Sequence, residues 1–332
     1  MGRGIAHVFA YAGHEVRLVD AKQRSSADRE RLEREALGEI DSTLAVLASL
    51  GAFDDAERPR ILERIRFAGR DEAGAALADS DVVFEGVPEV MDAKLEAFAF
   101  ACEHVRYDAI LASTTSTMLV TQLAGLVTHA ERFLNAHWLN PAYLVPLVEL
   151  SQHPGTDPTA LQRLKALLEK IGKVPVVCAP APGFIVPRLQ ALVMAEAARM
   201  IEEGVASAED IDKATRYGFG FRFASIGVVE FIDYGGNDIL YYACRYLAQA
   251  LGERYTAPAI VDRLMQEGRI GLKTRSGFYD YSGLDVAAYR KDVISRTLAL
   301  LEHHGLLAPP GAALRPSARC SVPASGLMSR KV

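Results

Sequence analysis

The sequence is poor in the features that mark secreted, metal-binding and nucleic-acid-binding proteins. Its 332 residues include only four cysteines, which lie far apart and form no CxxC pair and no Cys/His cluster. We therefore expect free thiols in a reducing cytoplasm, with neither a disulfide framework nor a zinc site. Lys and Arg number 37 against 42 Asp and Glu, without a basic block, so no electrostatic surface for nucleic acid is expected.

Long apolar runs are missing as well. Half of the residues are apolar, but polar residues interrupt every run well before the ~20 residues that a membrane helix needs. The N-terminus has neither the charged start nor the cleavage site of a signal peptide. We expect a cytoplasmic protein that does not contact a membrane. Its length indicates two domains, because single cores rarely grow beyond about 250–300 residues.

Short apolar runs alternate with amphipathic helices in the first half of the chain. Strands are predicted at 14–20, 67–69, 81–87, 109–113, 132–137 and 145–150, and helices at 2–12, 26–50 and 55–66. This alternation is typical of a parallel sheet that helices cover on both faces. The helical pair at 26–66 is too long for a simple crossover, and we expect it to form an arm that projects from the sheet.

The second half of the chain has a different pattern. After Pro180, Pro182 and Gly183, strand-like runs largely end, and helical spacing of apolar residues continues at 184–203, 207–216, 226–252 and 257–268. We expect an α/β domain over 1–180 and an all-helical domain over 181–308. Residues 309–332 are rich in Pro, Ala and Ser, and we expect them to form a disordered tail.

The first twenty residues match the later part of a dinucleotide-binding motif. In that motif a strand leads to a glycine-rich turn, a helix follows, and an acidic residue ends the next strand. Gly2 and Gly4 stand at the start of the helix, and Asp20 ends the next strand. Close helix packing would explain the two glycines as well, and a simple turn would explain the aspartate. The first strand and the first two glycines are missing. We expect that the motif is truncated and that about ten residues belong upstream, because the loss of a central strand leaves two unpaired edges.

Polar side chains follow several of the predicted strands. Ligand sites of open α/β sheets lie beyond the carboxyl ends of the strands, so these groups could converge. They are Glu85–Glu89 with Lys94, the hydroxyl-rich turn Ser113–Thr117, His137–Asn140, and Glu149.

His137 and Glu149 are the candidates for acid–base chemistry. A neutral histidine that a buried carboxylate orients is an effective general base near neutral pH. A lone His137 could be structural, but Glu149 lies on an otherwise apolar strand and needs a partner, which favours a functional pair. For the other groups two interpretations stay open: the hydroxyl turn could only cap the next helix, and Glu89 with Lys94 could be an exposed ion pair.

Taken together, these segments resemble the 3-hydroxyacyl-CoA dehydrogenases, in particular their short bacterial 3-hydroxybutyryl-CoA form. The resemblance runs from Met1 to about Tyr281 and rests on FEGVPEVMDAK, ASTTST, HWLNP with LVPLVEL, PGFIVPRL and GRIGLKTRSGFYDY. It implies a Rossmann-type NAD domain, a helical C-terminal domain that pairs into a homodimer, and an active site in the cleft between the domains. Besides the second copy of the chain, the expected partner is a small-molecule substrate, an acyl-CoA or a hydroxy acid; no metal, nucleic acid or membrane partner is expected.

The resemblance also implies roles for individual residues. His137 would be the catalytic base, Glu149 its orienting carboxylate, and Ser116 would bond the substrate oxygen near the nicotinamide ribose. Asp20 would hold the adenosine ribose and favour NAD over NADP, because a carboxylate repels a 2′-phosphate. Ser116, near the nicotinamide ribose, would also count as cofactor-binding, and the further cofactor-binding residues would be Gly2, Glu89, Lys94, Asn140 and Lys273.

The implied activity is the NAD-dependent interconversion of short-chain (S)-3-hydroxyacyl-CoA and 3-oxoacyl-CoA. Two departures bear on the substrate: Pro187 stands where the family carries an asparagine that positions substrate, and GFGFRFASIGVVEFIDYGGNDI lacks the family's Pro-Met-Gly-Pro run. Arg222 in that segment could meet an anionic substrate group or only a surface carboxylate, and both interpretations stay open. The segment NPAYLVPLVEL more closely resembles relatives that act on small free hydroxy acids, such as L-gulonate and carnitine dehydrogenases. The alternatives are therefore a dehydrogenase of a small free 3-hydroxy acid and, in another class, a non-catalytic binding or structural descendant.

Overall fold

The structure is a computed structural model that describes residues 1–307 and 310–311. Contacts divide the chain into two compact units, Met1–Glu196 and Ala197–Val332. The tail predicted at 309–332 lies, apart from residues 310 and 311, outside the described residues.

The first unit contains two sheets. In the described residues the strands are β1 (Val16–Val19), β2 (Ile65–Ala68), β3 (Val82–Glu85), β4 (Ile110–Ser113), β5 (Phe133–Trp138), β6 (Leu147–Gln152) and β7 (Val174–Cys178). β1 and β2 form one parallel pair, and β3 to β7 form a sheet in chain order. Neighbours in this larger sheet are parallel except β5 and β6, which are antiparallel. The predicted α/β class of the first domain is confirmed.

Helices alternate with these strands along the chain, and the last of these helices continues past Glu196 into the second unit. They are α1 (Gly2–Tyr11), α2 (Ser26–Ser49), α3 (Arg58–Leu62), α4 (Arg70–Ala78), α5 (Met91–His104), α6 (Val120–Leu123), α7 (Pro158–Lys170) and α8 (Val186–Glu202). Short 3-10 turns occur at Asp55–Glu57, Ala124–Leu126 and Ala130–Arg132. α2 begins where the Ser25 hydroxyl accepts the Asp28 N–H at 3.1 Å, a common N-terminal cap.

Helix α1 packs on both sheets. Ile5, Val8 and Phe9 join the core of the larger sheet, whose buried residues include Leu134 and Trp138. Ala6 and Ala10, on the opposite side of α1, pack with Ile40 and Leu44 of α2. Val16 of β1 contacts both clusters. The two sheets share no hydrogen-bonded strand pair in the described residues, so α1 and Val16 supply the apolar contact between them.

Two strands, β2 and β7, differ from the sequence prediction. The helix predicted at 55–66 ends earlier, because β2 begins at Ile65 and pairs with β1. Ile61 and Ile65 are buried in one core cluster, and their spacing of four residues imitates a helix face. β7 was not predicted. Its residues are only half-buried or exposed, which weakens the apolar pattern by which a strand is recognised.

The second unit is helical, as predicted. Its helices are α9 (Ala208–Ala214), α10 (Phe221–Ser225), α11 (Val228–Gly235), α12 (Asn237–Leu251), α13 (Ala259–Gln266) and α14 (Val286–His303), with a π-helical turn at Thr215–Gly220 and a 3-10 turn at Glu253–Tyr255. The helix predicted at 226–252 is two helices, because Gly236 adopts a φ of 114° and breaks it. Among the described residues, no helix is both long and apolar enough to cross a membrane.

Candidate active site

His137 and Glu149 face each other across the antiparallel strands β5 and β6. The two residues are register partners, and Nδ1 of His137 lies 2.8 Å from Oε2 of Glu149. Both side chains are buried, with 4% and 1% exposure. An ionised carboxylate only accepts hydrogen bonds, so Nδ1 carries the hydrogen and Nε2 is left as the proton acceptor. The strand register therefore orients the imidazole for base chemistry.

The second oxygen of Glu149 is held by backbone donors. Oε1 accepts the N–H groups of Ile185 and Val186 at 2.9 and 2.8 Å. These groups lie at the start of α8, where the N–H donors of a helix have no intrahelical partner and negative charge is favoured. Three donors thus compensate the burial of the carboxylate. Pro187 lies in the first turn of α8, where its missing N–H costs no hydrogen bond.

The turn before α8 also contacts the histidine. Gly183 and Phe184 adopt positive φ angles of 76° and 43°. The Phe184 ring stacks on His137 with a centroid distance of 5.3 Å and an interplanar angle of 26°. Phe184 lies within the PGFIVPRL segment, but no role was predicted for it, since a phenylalanine beside a glycine has no distinctive chemical signal.

Glu89 organises the hydroxyl-rich turn that follows β4. Its carboxylate accepts hydrogen bonds from the Thr115 hydroxyl at 2.6 Å, the Ser116 N–H at 3.1 Å and the Thr117 hydroxyl at 3.1 Å. Burial alone would raise the pKa of Glu89, but these hydrogen bonds and the Lys94 charge outweigh it and lower the pKa below its usual value. The exposed Ser116 hydroxyl makes no hydrogen bond within the described part of the chain. Glu89 thus fixes the backbone of Ser116 and leaves its hydroxyl available.

Lys94 lies beneath this turn and is fully buried. Its Nζ is 2.9 Å from both carboxylate oxygens of Glu85 and 3.8 Å from Oε1 of Glu89. Glu85 also accepts the Ser113 hydroxyl and the Val87 N–H, each at 2.7 Å. Because Lys94 is buried, Glu89 and Lys94 do not form an exposed ion pair, which was one of the two interpretations. The sequence placed Glu85 in a group of polar residues, but no role was predicted for it. The signal that could have found it is a carboxylate at the end of an apolar strand.

A cleft of about 470 Å³ adjoins the start of α1. Gly2, Asp20 and Asn140, three of the predicted cofactor-binding residues, line it together. Asp20 follows β1, and its carboxylate accepts the Lys22 N–H at 3.3 Å and a hydrogen bond from Arg24. The end of β1, the start of α1 and the loop after β5 thus converge on one cavity.

These residues fit a dinucleotide. Within the described residues, no side chain caps the first turn of α1, so its N–H groups and the positive end of the helix can meet a diphosphate. Close approaches favour glycine: a Cβ on Gly4 would lie 3.2 Å from Cβ of Ala142, and one on Gly86 would lie 3.4 Å from the Gly2 nitrogen. The Asp20 carboxylate supplies an acceptor for ribose hydroxyls.

Lys273 and Arg222 lie in the second unit, and both have partners there. Nζ of Lys273 is 3.0 Å from each carboxylate oxygen of Asp238. Nε of Arg222 donates to the Gly218 carbonyl at 2.8 Å, and its guanidinium lies 5.0 Å from the centre of the Phe231 ring. The roles predicted for Lys273 at the cofactor and Arg222 at an anionic substrate stay predictions.

The decisive observation comes from family comparison. Residues 1–181 match the family model "3-hydroxyacyl-CoA dehydrogenase, NAD binding domain", and residues 183–281 match "3-hydroxyacyl-CoA dehydrogenase, C-terminal domain". The chain belongs to the 3-hydroxyacyl-CoA dehydrogenase family. Its first domain is the NAD-binding, Rossmann-like domain of these NAD-dependent oxidoreductases, and NAD is its cofactor. The resemblance seen in the sequence is confirmed.

Individual relatives agree with this family. The 3-hydroxybutyryl-CoA dehydrogenase of Bradyrhizobium diazoefficiens is 34% identical over 284 residues, which cover 85% of this chain and 92% of the relative. A solved 3-hydroxyacyl-CoA dehydrogenase from Archaeoglobus fulgidus is 30% identical with a TM-score of 0.71, covering 92% of this chain and 96% of that one. A solved 5-formyl-3-hydroxy-2-methylpyridine 4-carboxylic acid 5-dehydrogenase, an NAD+-dependent dismutase, is 27% identical with a TM-score of 0.64, and the match covers 90% of this chain and 94% of that one.

Proposed function

We propose that this 3-hydroxyacyl-CoA dehydrogenase acts on short-chain (S)-3-hydroxyacyl-CoA, with His137 as general base and Glu149 as its orienting carboxylate. The observation that carries the proposal is the buried hydrogen bond of 2.8 Å between Nδ1 of His137 and Oε2 of Glu149. It lies at the edge of the sheet where β3, β4 and β5 end, as expected for a ligand site of an open α/β sheet.

In the oxidative direction, Nε2 of His137 accepts the proton of the 3-hydroxyl group as hydride leaves C3. NAD supplies the hydride acceptor when bound. The imidazolium that forms is stabilised by the carboxylate of Glu149, which Ile185 and Val186 hold in place. In the reductive direction, His137 returns the proton to the 3-oxo oxygen. General-base catalysis of this kind contributes about 10²–10⁴ in rate.

Ser116 supplies a hydrogen bond to the substrate oxygen in this proposal. Its hydroxyl is exposed, whereas Glu89 holds its backbone N–H at 3.1 Å. A donor fixed in this way stabilises the negative charge that develops on the oxygen, without reorganisation during the reaction.

The cofactor contacts follow from the cleft beside α1. The first turn of α1 at Gly2 would hold the diphosphate and Asp20 the adenosine ribose, and Asn140 lines the same cleft. Glu89 would meet the cofactor beside the Ser113–Thr117 turn, with Lys94 buried behind it on Glu85, so Lys94 would act through these carboxylates. The role of Lys273 at the cofactor stays a prediction. We also propose that 1–180 forms the NAD-binding domain, with a helical arm over about 26–66. Residues 181–308 then form a substrate and dimerisation domain of a cytoplasmic homodimer.

The test is oxidation of NADH with acetoacetyl-CoA, run beside free acetoacetate at the same concentration. The proposal predicts rapid oxidation with the thioester and little with the free acid, with a rate that falls as the acyl chain lengthens. Oxidation with acetoacetate but not with acetoacetyl-CoA would overturn the substrate and favour a small free hydroxy acid. NADH binding without oxidation of either compound would contradict both substrate assignments.

A further inference from the structure

We infer that Phe184 is a positioning residue of this enzyme, which fixes the plane of the His137 imidazole, while the next two residues of its turn, Ile185 and Val186, present the N–H donors for Glu149. The inference rests on the proposed role of the His137–Glu149 pair. It adds a second restraint, on the face of the imidazole, to the hydrogen bond at its edge.

The ring of Phe184 covers one face of His137. The two ring centres are 5.3 Å apart and the planes differ by only 26°, an offset-stacked arrangement. Phe184 is 6% exposed and His137 is 4% exposed, so the contact is shielded from water. A hydrogen bond through Nδ1 alone would let the imidazole swing about that bond, whereas the stacked ring opposes this motion.

The backbone of Phe184 connects the base to its carboxylate. Its φ of 43° lies in the left-handed region of the backbone, which residues other than glycine rarely adopt. The next two N–H groups, of Ile185 and Val186, both reach Oε1 of Glu149. Backbone strain of this kind persists only where surrounding contacts impose it, and it is common at functional sites. One turn therefore places an aromatic face on the base and two donors on its partner.

Two kinds of variant separate the ring from the backbone. Phe184→Leu keeps an apolar side chain but removes the aromatic face, and Phe184→Tyr keeps the face. Phe184→Gly removes the side chain at a position where glycine accepts the left-handed conformation without strain, so it provides a folded variant even where leucine perturbs the turn. Leu189, an exposed apolar residue of α8, offers a matched control in Leu189→Ala.

We expect Phe184→Leu and Phe184→Gly to lower kcat with acetoacetyl-CoA by about ten- to a hundredfold, because a base displaced by a fraction of an ångström loses its alignment. KM and the Kd for NADH should change little, and Phe184→Tyr should restore most of kcat. Wild-type kcat in both variants would overturn the inference. Equal losses of kcat, NADH affinity and thermal stability would also overturn it, since they indicate a purely structural role.

A spectroscopic measurement tests the contact without turnover. In wild-type protein, the ring current of Phe184 should shift the carbon-bound proton resonances of the His137 imidazole, since the rings are stacked. Phe184→Leu should abolish this shift, whereas Phe184→Tyr and Leu189→Ala should retain it. An unchanged His137 resonance in Phe184→Leu would refute the stacking. Inactivity of the wild type toward both thioester and free acid would refute the proposed function instead, so the two failures are distinguishable.

Discussion

Glu149→Gln preserves the shape of the buried side chain but removes its charge. The glutamine oxygen can still accept the N–H groups of Ile185 and Val186, which lie 2.9 and 2.8 Å from Oε1. Its NH₂ group then faces Nδ1 of His137 and donates to it. Nδ1 must now be the acceptor, so the hydrogen moves to Nε2, the atom that has to take the substrate proton. The variant selects the wrong tautomer of the base.

The size of the effect follows from two contributions. A hydrogen bond to a charged group is worth about 1.5–3 kcal/mol, or about ten- to 150-fold in rate. Reversal of the histidine tautomer costs about 10⁴ in the serine protease triad. We therefore expect kcat of Glu149→Gln to fall by about 10²–10⁴-fold. Folding stability should change by no more than about 1–2 kcal/mol, because the two backbone donors keep their acceptor.

The assay is the loss of NADH absorbance with acetoacetyl-CoA, with the Kd for NADH and urea unfolding measured on the same protein. Glu131→Gln, at a partly exposed glutamate of the same unit, is the matched control and should leave kcat unchanged. A kcat of Glu149→Gln within about threefold of wild type, with the fold intact, would refute the role of the carboxylate.

Three further predictions concern other residues. Burial and the Lys173 charge lower the pKa of His7 to about 4. Unfolding below pH 6.5 therefore takes up a proton, so the free energy of unfolding falls by up to about 3 kcal/mol as the pH drops from 6.5 toward 4. In urea unfolding, His7→Gln should lack this fall, whereas His129→Gln, at an exposed histidine, should keep it. Lys94→Met should cost about 3–5 kcal/mol in the free energy of unfolding because Glu85 stays buried without its cation; adding Glu85→Gln should recover part of this, and no recovery would speak against the ion pair. Ser116→Ala should lower kcat with acetoacetyl-CoA by about tenfold and leave the Kd for NADH unchanged; an unaltered kcat would remove Ser116 from the substrate oxygen.

The sequence allowed the prediction of features that depend on local pattern. Apolar runs and helical spacing predicted the α/β domain, the helical second domain and α1, which begins at Gly2 as expected. An unpaired carboxylate on an apolar strand indicated that Glu149 needs a partner, and the structure places His137 opposite it. The boundary at Ile65 was mispredicted because apolar residues four positions apart, Ile61 and Ile65, suit a helix face as well as a buried strand.

Features that arise from tertiary contact could not be predicted. The donors to Oε1 of Glu149 are backbone N–H groups, which every residue except proline carries, so no residue type marks them. Burial of Lys94 also has no sequence signal, because lysine is usually exposed, and Lys94 is buried through its tertiary contact with Glu85. The stack of Phe184 on His137 depends on a turn that brings distant segments together.

His137 is expected to move the substrate proton and not to hold the cofactor. This is tested by kcat with acetoacetyl-CoA and the Kd for NADH of His137→Gln, determined on one preparation. We expect a loss of kcat by about 10²–10⁴-fold or more with a nearly unchanged Kd for NADH. Retained kcat, or a parallel loss of NADH binding, would contradict it.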